Sequence, residues 1–271
     1  MIFKKIKAVY FSATKTTQKV VLEIVKGLSR SLSIPYEECD FTLSQNRLSP
    51  IVFDKDDLVV FATPVYAGRV PNVLTKYLST IQGNTAKAVV VAVYGNRDYD
   101  DALVELKDIL KNSGAEVFAA GAFIGEHSFS KKLAANRPDA ADIAMIQDFV
   151  ADIVKKIGEN DCSEPKIKGV PYPYRTHFKP VNKDGDAFDI RSVKPLTSGD
   201  CVKCGLCVKL CPMNSINKDD VSCVDGICIK CGACVKLCPY HAKYFDDGNY
   251  LYHLHELENK YVRRAEPEWF V

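Results

Sequence analysis

Nine of the eleven cysteines of this 271-residue chain lie between Cys201 and Cys238. Eight of them form two runs with the spacing Cys-x2-Cys-x2-Cys-x3-Cys-Pro, and the last three cysteines of each run lie in the repeated sequences KCGLCVKLCP and KCGACVKLCP. Three thiolates spaced in this way can hold one iron–sulfur cubane from a tight loop, and the fourth cysteine ligates the other cluster. The spacing predicts two [4Fe–4S] clusters, one bound by Cys201, Cys204, Cys207 and Cys238 and the other by Cys228, Cys231, Cys234 and Cys211.

The other cysteines and the charges near the two runs leave alternatives open. Zinc usually takes four ligands, often as two Cys-x2-Cys pairs, so this doubled run of eight cysteines fits zinc poorly. Cys223 lies outside both runs and is expected to be a plain thiol, and Cys39 and Cys162 are expected to be structural. Residues 197–245 carry six lysines and four aspartates. These lysines either offset the cluster charge, form a docking face for an acidic partner or are solvated surface residues.

Residues 1–158 have an apolar pattern that alternates between strand and helix. Short apolar runs such as LVVFA and AVVVAVY predict strands buried on both faces, and segments with a helical period separate them. This alternation predicts an α/β fold with a doubly wound five-stranded parallel sheet. The expected strands are residues 6–11, 34–40 (at an edge), 58–62, 86–94 and 117–124, and the expected helices are residues 16–32, 73–81, 102–110 and 138–157.

The rest of the chain divides by composition. Residues 159–196 contain five prolines, with aromatic and charged residues in no regular period, which indicates a linker along the surface. Residues 197–245 are expected to form a small α+β cluster domain. Residues 246–271 are expected to form a tail in which YLYHLHELENKYVRR predicts a short helix.

Three loops of the first domain suit a planar anionic ligand. Residues 12–17 (SATKTT) lie between the first strand and the first helix, where hydroxyls and backbone N–H groups can bind an anion, although Ser and Thr also serve there as simple helix caps. Residues 63–71 and 94–99 place glycine and tyrosine after the third and fourth strands. Ligands of doubly wound sheets bind at this edge. Neither a GxGxxG nor a Walker motif is present.

These loops resemble the phosphate loop and the two isoalloxazine loops of the flavodoxin family. With the cysteine domain, the chain resembles the flavodoxin–ferredoxin fusions of anaerobes, the EFR1 family of ferredoxins, in segments such as PVYAGRVP, VYGNRDYDDAL and AFIGEHSFS. The resemblance implies FMN as a cofactor beside two [4Fe–4S] clusters. It implies a phosphate site at Ser12, Thr14, Lys15, Thr16 and Thr17, and an isoalloxazine site at Pro64, Val65, Tyr66, Ala67, Gly68, Tyr94, Gly95, Asn96, Arg97, Asp98 and Tyr99.

Four residues in or near these loops have specific expected roles. Tyr66 and Tyr99 are the expected stacking residues. Lys15, like Ala13, replaces a glycine of the usual SGTGNT-like loop, and we expect Lys15 to contact the phosphate. His127, after the last strand, either donates a proton to a reduced flavin or simply structures its loop.

Several function classes are excluded by the composition. A net charge of +2 argues against general nucleic-acid binding, and there is no apolar run of the ~18 residues that a membrane span needs. The amino terminus lacks signal-peptide features, so we expect a cytoplasmic protein. The oligomeric state is open, and a homodimer is compatible with the sequence.

The first interpretation of function is an electron-transfer protein that connects the two clusters with FMN and with redox partner proteins. The alternative is an FMN-dependent oxidoreductase that reduces a small-molecule acceptor with electrons from the clusters. A third is a cluster-bearing sensor or scaffold, which no DNA-binding motif supports.

Overall fold

The computed structural model describes all 271 residues, and strands alternate with helices as far as residue 158. The elements of this part are β1 (Lys5–Tyr10), α1 (Thr16–Leu32), β2 (Tyr36–Asp40), β3 (Asp57–Pro64), α2 (Asn72–Leu78), β4 (Lys87–Tyr94), α3 (Ala102–Asn112), β5 (Glu116–Ile124) and α4 (Ala140–Gly158). The remaining elements are β6 (Leu196–Thr197), α5 (Leu206–Leu210), α6 (Ala233–Lys236), β7 (Lys243–Tyr244), α7 (Gly248–Lys260) and β8 (Glu268–Phe270).

The main sheet has the order β2-β1-β3-β4-β5-β8, and the first five strands pair in parallel. This 2-1-3-4-5 order is the flavodoxin-like doubly wound order, whose ligands bind beyond the carboxyl ends of the strands. The five parallel strands and the edge position of β2 agree with the sequence prediction. The switch point lies between β1 and β3, next to the loop that leads into α1.

Two hydrophobic cores cover the two faces of the sheet. Apolar residues of α1 and α4 pack on one face, and those of α2 and α3 pack on the other. Strand β4 is buried along nearly its whole length because it lies between both helix layers, which explains why its sequence is a continuous apolar run rather than an alternating one. The sheet is thereby a rigid base for the loops at its carboxyl edge.

The carboxyl-terminal tail adds a sixth strand that the sequence did not predict. Strand β8 pairs antiparallel with β5, and the preceding residues are held by Asn96. The Asn96 side chain donates to the carbonyls of Tyr261 and Arg263 at 2.7 Å, and accepts from the Ala265 amide at 3.1 Å. The predicted tail helix is present as α7, and the residues after it complete the sheet.

The cysteine-rich segment is small and built from short elements. Strands β6 and β7 form a two-stranded antiparallel sheet. Helices α5 and α6 each begin after a glycine in the left-handed region, Gly205 at φ 71° and Gly232 at φ 75°, where a side chain would be strained. Across the whole chain, no helix has both the length and the apolar character needed to cross a bilayer.

Candidate functional site

Two cavities, each of about 390 Å³, lie within the cysteine-rich segment. The distal cavity contains the four cysteines of the first predicted set, and the proximal cavity, nearer the main sheet, contains the four of the second set. Cys234 lines both cavities and so lies between them. Their lining cysteines are Cys201, Cys204, Cys207 and Cys238 (distal), and Cys211, Cys228, Cys231 and Cys234 (proximal).

The proximal cysteines are suited to a multi-metal group. Burial raises the pKa of both Cys231 and Cys234 to about 12, so without a compensating cation these side chains stay protonated at neutral pH. Metal ligation requires thiolates, and iron supplies the positive charge that burial otherwise withholds. The donor set and the space therefore fit a cluster with several irons.

The loop between β1 and α1 presents unpaired N–H groups. Lys15 adopts a left-handed conformation (φ 69°) directly before the helix, and the backbone amides of Ala13, Thr14, Thr16 and Thr17 have no hydrogen-bond acceptor. Unpaired amides at the amino terminus of a long helix form an anion site. The loop thus fits a phosphate group.

A cleft of about 490 Å³ leads from this loop along the carboxyl edge of the sheet. Gly125 forms part of its floor, where an added Cβ would lie 2.2 Å from Cγ2 of Thr16, so only glycine lets β5 approach the anion loop this closely. At its far end the cleft reaches Tyr66, Tyr94 and the cysteine-rich segment, which contributes Cys231.

The cleft opens into a larger chamber of about 870 Å³. The loops after β3, β4 and β5 form one wall of this chamber. The opposite walls come from residues 165–193, which we call the strap, from α7, and from Ile229 and Lys230 of the cysteine-rich segment. The two spaces share Val65, Tyr66, Tyr94, Gly95, His127 and Ser128. Together they suit a long ligand with an anionic end and a flat end.

Most predicted loop residues line the cleft or the chamber: Thr14, Thr16, Thr17, Pro64, Val65, Tyr66, Ala67, Gly68, Tyr94, Gly95, Arg97 and Asp98. Tyr66 lines the cleft together with Cys231, and burial, followed by the neighbouring Cys231 and Cys228, raises the pKa of Tyr66 well above its ordinary value. It is thus positioned between the chamber and the proximal cavity.

Four predicted site residues lie elsewhere. The Ser12 hydroxyl accepts from the Gln18 amide at 2.9 Å and therefore stabilises the start of α1, and Lys15 is exposed outside the cleft. Asn96 is used to hold the tail.

Tyr99 is only 5% exposed, packs on Tyr94 and donates to Glu268, so the prediction that Tyr99 stacks on a flavin is wrong. Asn96 and Tyr99 contact the carboxyl-terminal tail, which begins its contacts 165 residues later in the chain. The sequence around these two residues gives no indication of that contact.

His127 faces the junction of cleft and chamber. Its Nδ1 accepts from the Phe129 amide at 3.1 Å, which assigns the proton of the neutral ring to Nε2. Burial, followed by the nearby charges of Lys236, His253 and Arg97, lowers the His127 pKa to about 4. The imidazole is therefore neutral at physiological pH, and in that state it offers a hydrogen bond rather than the excess proton of an imidazolium.

The cysteine-rich segment is fixed to the main sheet by specific contacts. Arg47 donates to the Pro212 carbonyl at 2.6 Å, and Lys236 pairs with Glu126 and donates to the Ser130 carbonyl at 2.8 Å. At Gly232 an added Cβ would lie 2.6 Å from the Ser128 carbonyl. These contacts hold the proximal cavity directly beside the cleft.

The lysines of the cysteine-rich segment point in two directions. Lys230, Lys236 and Lys243 are turned inward: Lys230 and Lys243 are at most 5% exposed, and Lys236 forms the contact with Glu126. The lysines that remain exposed, Lys203, Lys209 and Lys218, share the surface with Asp200, Asp219, Asp220 and Asp225. The exposed lysines and aspartates of the segment therefore give no basic excess.

The strap, which the sequence indicated to be a linker, is anchored on α3. Asp101, fully buried, accepts from the amides of Val170 and Arg175 at 2.8 Å and pairs with the Arg175 guanidinium. Burial alone would raise the Asp101 pKa, but these hydrogen bonds outweigh it and lower the pKa to about 2. Farther along, the Phe178 amide donates to the Ala67 carbonyl at 2.9 Å. The strap thereby covers the chamber.

Replacing Asp101 with asparagine is expected to release the strap. The variant removes the charge that Arg175 pairs with and places an amide NH2 group next to the N–H donors of Val170 and Arg175. We expect the contact between Asp101 and the strap to lose about 2 kcal/mol of stabilising free energy. Limited trypsin digestion should then cut within the strap several-fold faster than in the unmodified protein. The matched control is Asp189→Asn, which removes an exposed pair with Arg191 inside the strap. Equal cleavage rates for the two variants would contradict the anchoring role.

Comparison with known proteins supports the interpretation of the cysteine-rich segment as an iron–sulfur domain. Residues 200–242 match the family model of the 4Fe–4S dicluster domain. No curated protein sequence matches the chain. The chain therefore joins a doubly wound sheet of flavodoxin-like order to a 4Fe–4S dicluster domain.

Solved structures similar to the first part include two flavodoxins. One, from Streptococcus pneumoniae TIGR4, is 20% identical, with a TM-score of 0.39, over 56% of this chain and 99% of its own. The other, from Fusobacterium nucleatum and bound to flavin mononucleotide, is 18% identical, with a TM-score of 0.39, over 57% and 99%. An NADH:FMN oxidoreductase in its apo form is 15% identical, with a TM-score of 0.42, over 56% and 89%. The strand order, rather than these likenesses, defines the fold class.

Proposed function

We propose that this chain is an electron-transfer protein that connects two [4Fe–4S] clusters with an FMN bound in the cleft, and passes electrons to or from a redox partner protein. The observation that carries the proposal is the position of Cys231, which lines both the proximal cysteine cavity and the cleft. A cluster bound there would share a wall with the cleft ligand. No diffusion step would separate the two redox groups.

The proposed ligand sets follow the two cavities. Cys201, Cys204, Cys207 and Cys238 bind the distal cluster, and Cys211, Cys228, Cys231 and Cys234 bind the proximal one. FMN, when bound, converts between one-electron and two-electron chemistry. The unpaired amides of the loop before α1 bind its phosphate, and Tyr66, Tyr94 and Gly95 contact its ring. The neutral His127, which lines both spaces, would offer the flavin a hydrogen bond from Nε2.

Anaerobic purification of the full chain, with iron, sulfide and flavin quantified, tests the proposal. We expect about eight irons and about eight sulfides for each chain, and one FMN. EPR spectra of the reduced protein should contain signals of two interacting clusters. Zinc in place of iron, or iron without flavin, would contradict the proposed pairing of cofactors.

A second candidate function is favoured by the chamber. Its walls include the loop after β5 (His127, Ser128 and Phe129) and the strap (Phe178, Pro180 and Ile190), and enclosed walls of this kind are typical of small-molecule sites. In this alternative the protein is an FMN-dependent oxidoreductase that reduces a small acceptor in the chamber. Steady turnover with a small quinone and a chemical reductant, in the absence of any protein partner, would favour it over electron transfer to a partner.

A further inference from the structure

One histidine of the chamber has no hydrogen bond within the protein. His253, on α7, is only 7% exposed and lines the chamber. Its ring packs against Phe178 and Phe188, at centroid distances of 6.0 and 6.5 Å. Neither ring nitrogen has a hydrogen-bond partner, and neither is sealed in the core. Because a buried polar group normally has a partner, the partner of this ring is expected to enter from the chamber.

The His253 ring is a neutral imidazole. Burial, followed by the nearby charge of Arg97, lowers the pKa of His253. A neutral imidazole carries one N–H donor and one lone pair, and its hydrogen-bond partners decide which nitrogen holds the proton. In His127 the Phe129 amide makes that choice, whereas in His253 no protein group makes it. The His253 ring is therefore free to direct its N–H group into the chamber.

The charged groups of the chamber wall already have partners. Arg97 pairs with Asp100, and the Lys230 ammonium donates to two backbone carbonyls at 2.8 Å. The one acidic lining residue, Asp98, is exposed, and its carboxylate accepts from the Asp100 amide at 2.9 Å. No cation in the wall is left waiting for a carboxylate, and the nearby N–H groups are donors. The chamber therefore favours an uncharged ligand group that accepts a hydrogen bond.

The rest of the wall, on the side away from the cleft, is apolar. Six apolar side chains line the chamber but not the cleft: Phe129, Phe178, Pro180, Ile190, Ile229 and Leu257. The two aromatic ones offer ring surfaces to a flat molecule. The cleft, at about 490 Å³, and the chamber, at about 870 Å³, each fall within the range of a small-molecule site, about 300–1,000 Å³. A second molecule can therefore lie in the chamber beside the ligand of the cleft.

We propose that the chamber binds a flat, uncharged ring compound with a carbonyl group, an aromatic ketone or a quinone, and that its carbonyl oxygen accepts a hydrogen bond from His253. The ring of the compound packs on Phe178 and the other apolar walls. The site lies next to the FMN position and is separate from it. The inference extends the second candidate function, on which it rests, by naming the class of small molecule. Binding requires no electron transfer, so it can be measured on the oxidised protein.

The test is equilibrium dialysis of the oxidised, FMN-loaded full chain with two probes. Indanone is an aromatic ketone, and indane is the same skeleton without the oxygen. His253→Phe keeps an aromatic ring against Phe178 and Phe188 but removes the ring nitrogens. We expect it to shift the ratio of the two dissociation constants by about tenfold against indanone, which is the ordinary contribution of one hydrogen bond. The matched control is His255→Phe, at an exposed position of the same helix, which should leave the ratio unchanged.

An unchanged ratio in His253→Phe, or an equal shift in His255→Phe, would overturn the proposal. Indanone that binds the flavin-free chain but not the FMN-loaded chain would overturn it as well, because the two ligands would then share one position. If His253→Phe fails to fold, the unmodified chain decides: indanone that binds no more tightly than indane contradicts the hydrogen bond. Binding of indanone that depends on His253, without turnover of any small acceptor, would contradict the second candidate function and leave this site standing.

Discussion

Replacing Cys211 with alanine is expected to remove the proximal cluster, although Cys211 belongs to the first cysteine run. The iron content should fall from about eight to about four for each chain. The reason is geometric: Cys211 lies in the proximal cavity with Cys228, Cys231 and Cys234, and the other three cysteines of its run lie in the distal cavity. Iron analysis and EPR of the reduced variant provide the measurement.

Double variants separate crossed ligation from a simple pairing of each run with its own cluster. Cys211→Ala combined with Cys228→Ala should lose no more iron than Cys211→Ala alone, because both changes affect one cluster. Cys211→Ala combined with Cys201→Ala should lose nearly all iron, because the changes affect two clusters. The reverse pattern would contradict crossed ligation. Cys223→Ser is the control and should retain all iron, since Cys223 is exposed and lines neither cavity.

The cysteine sets and the sheet order could be predicted from sequence because their signals are local. A run of four cysteines with fixed spacing fits within a dozen residues. An apolar strand that is buried on both faces can be recognised from about eight consecutive residues. The loops at the carboxyl edge follow from strand order. For that reason the sequence could place Thr14, Tyr66 and Gly95 at one edge of the sheet, where they line the cleft, even though they lie far apart in sequence.

The enclosure of the chamber could not be predicted in the same way. Asp101 precedes α3 and looks like a helix cap, but its side chain makes no cap hydrogen bond and instead anchors the strap from 74 residues away. Asn96 and Tyr99 lie in a ligand loop by position, yet both hold the tail. A three-residue strand such as β8 gives no periodic signal. These contacts form between segments that are far apart in the chain. The sequence of either segment alone therefore does not indicate its partner.

Placing a carboxylate in the loop before α1 is expected to abolish flavin binding while leaving the fold intact. In Thr14→Asp, the new charge would occupy the unpaired amides of the loop and repel a phosphate bound there. Two unit charges about 4 Å apart at a protein surface repel by about 4 kcal/mol. Allowing for solvent screening, the FMN dissociation constant should rise at least about a hundredfold.

Unfolding would not explain such a loss, because an acidic residue near the amino terminus of a helix is stabilising. The thermal midpoint of apo Thr14→Asp should therefore equal or exceed that of the apo unmodified chain. Thr14→Ala, which removes only a hydroxyl, should weaken FMN about tenfold at most. Thr75→Asp, an equal charge change at an exposed position of α2, should leave FMN affinity unchanged. Full flavin occupancy in Thr14→Asp would mean that the anion loop does not bind the phosphate, and that the cleft serves another ligand.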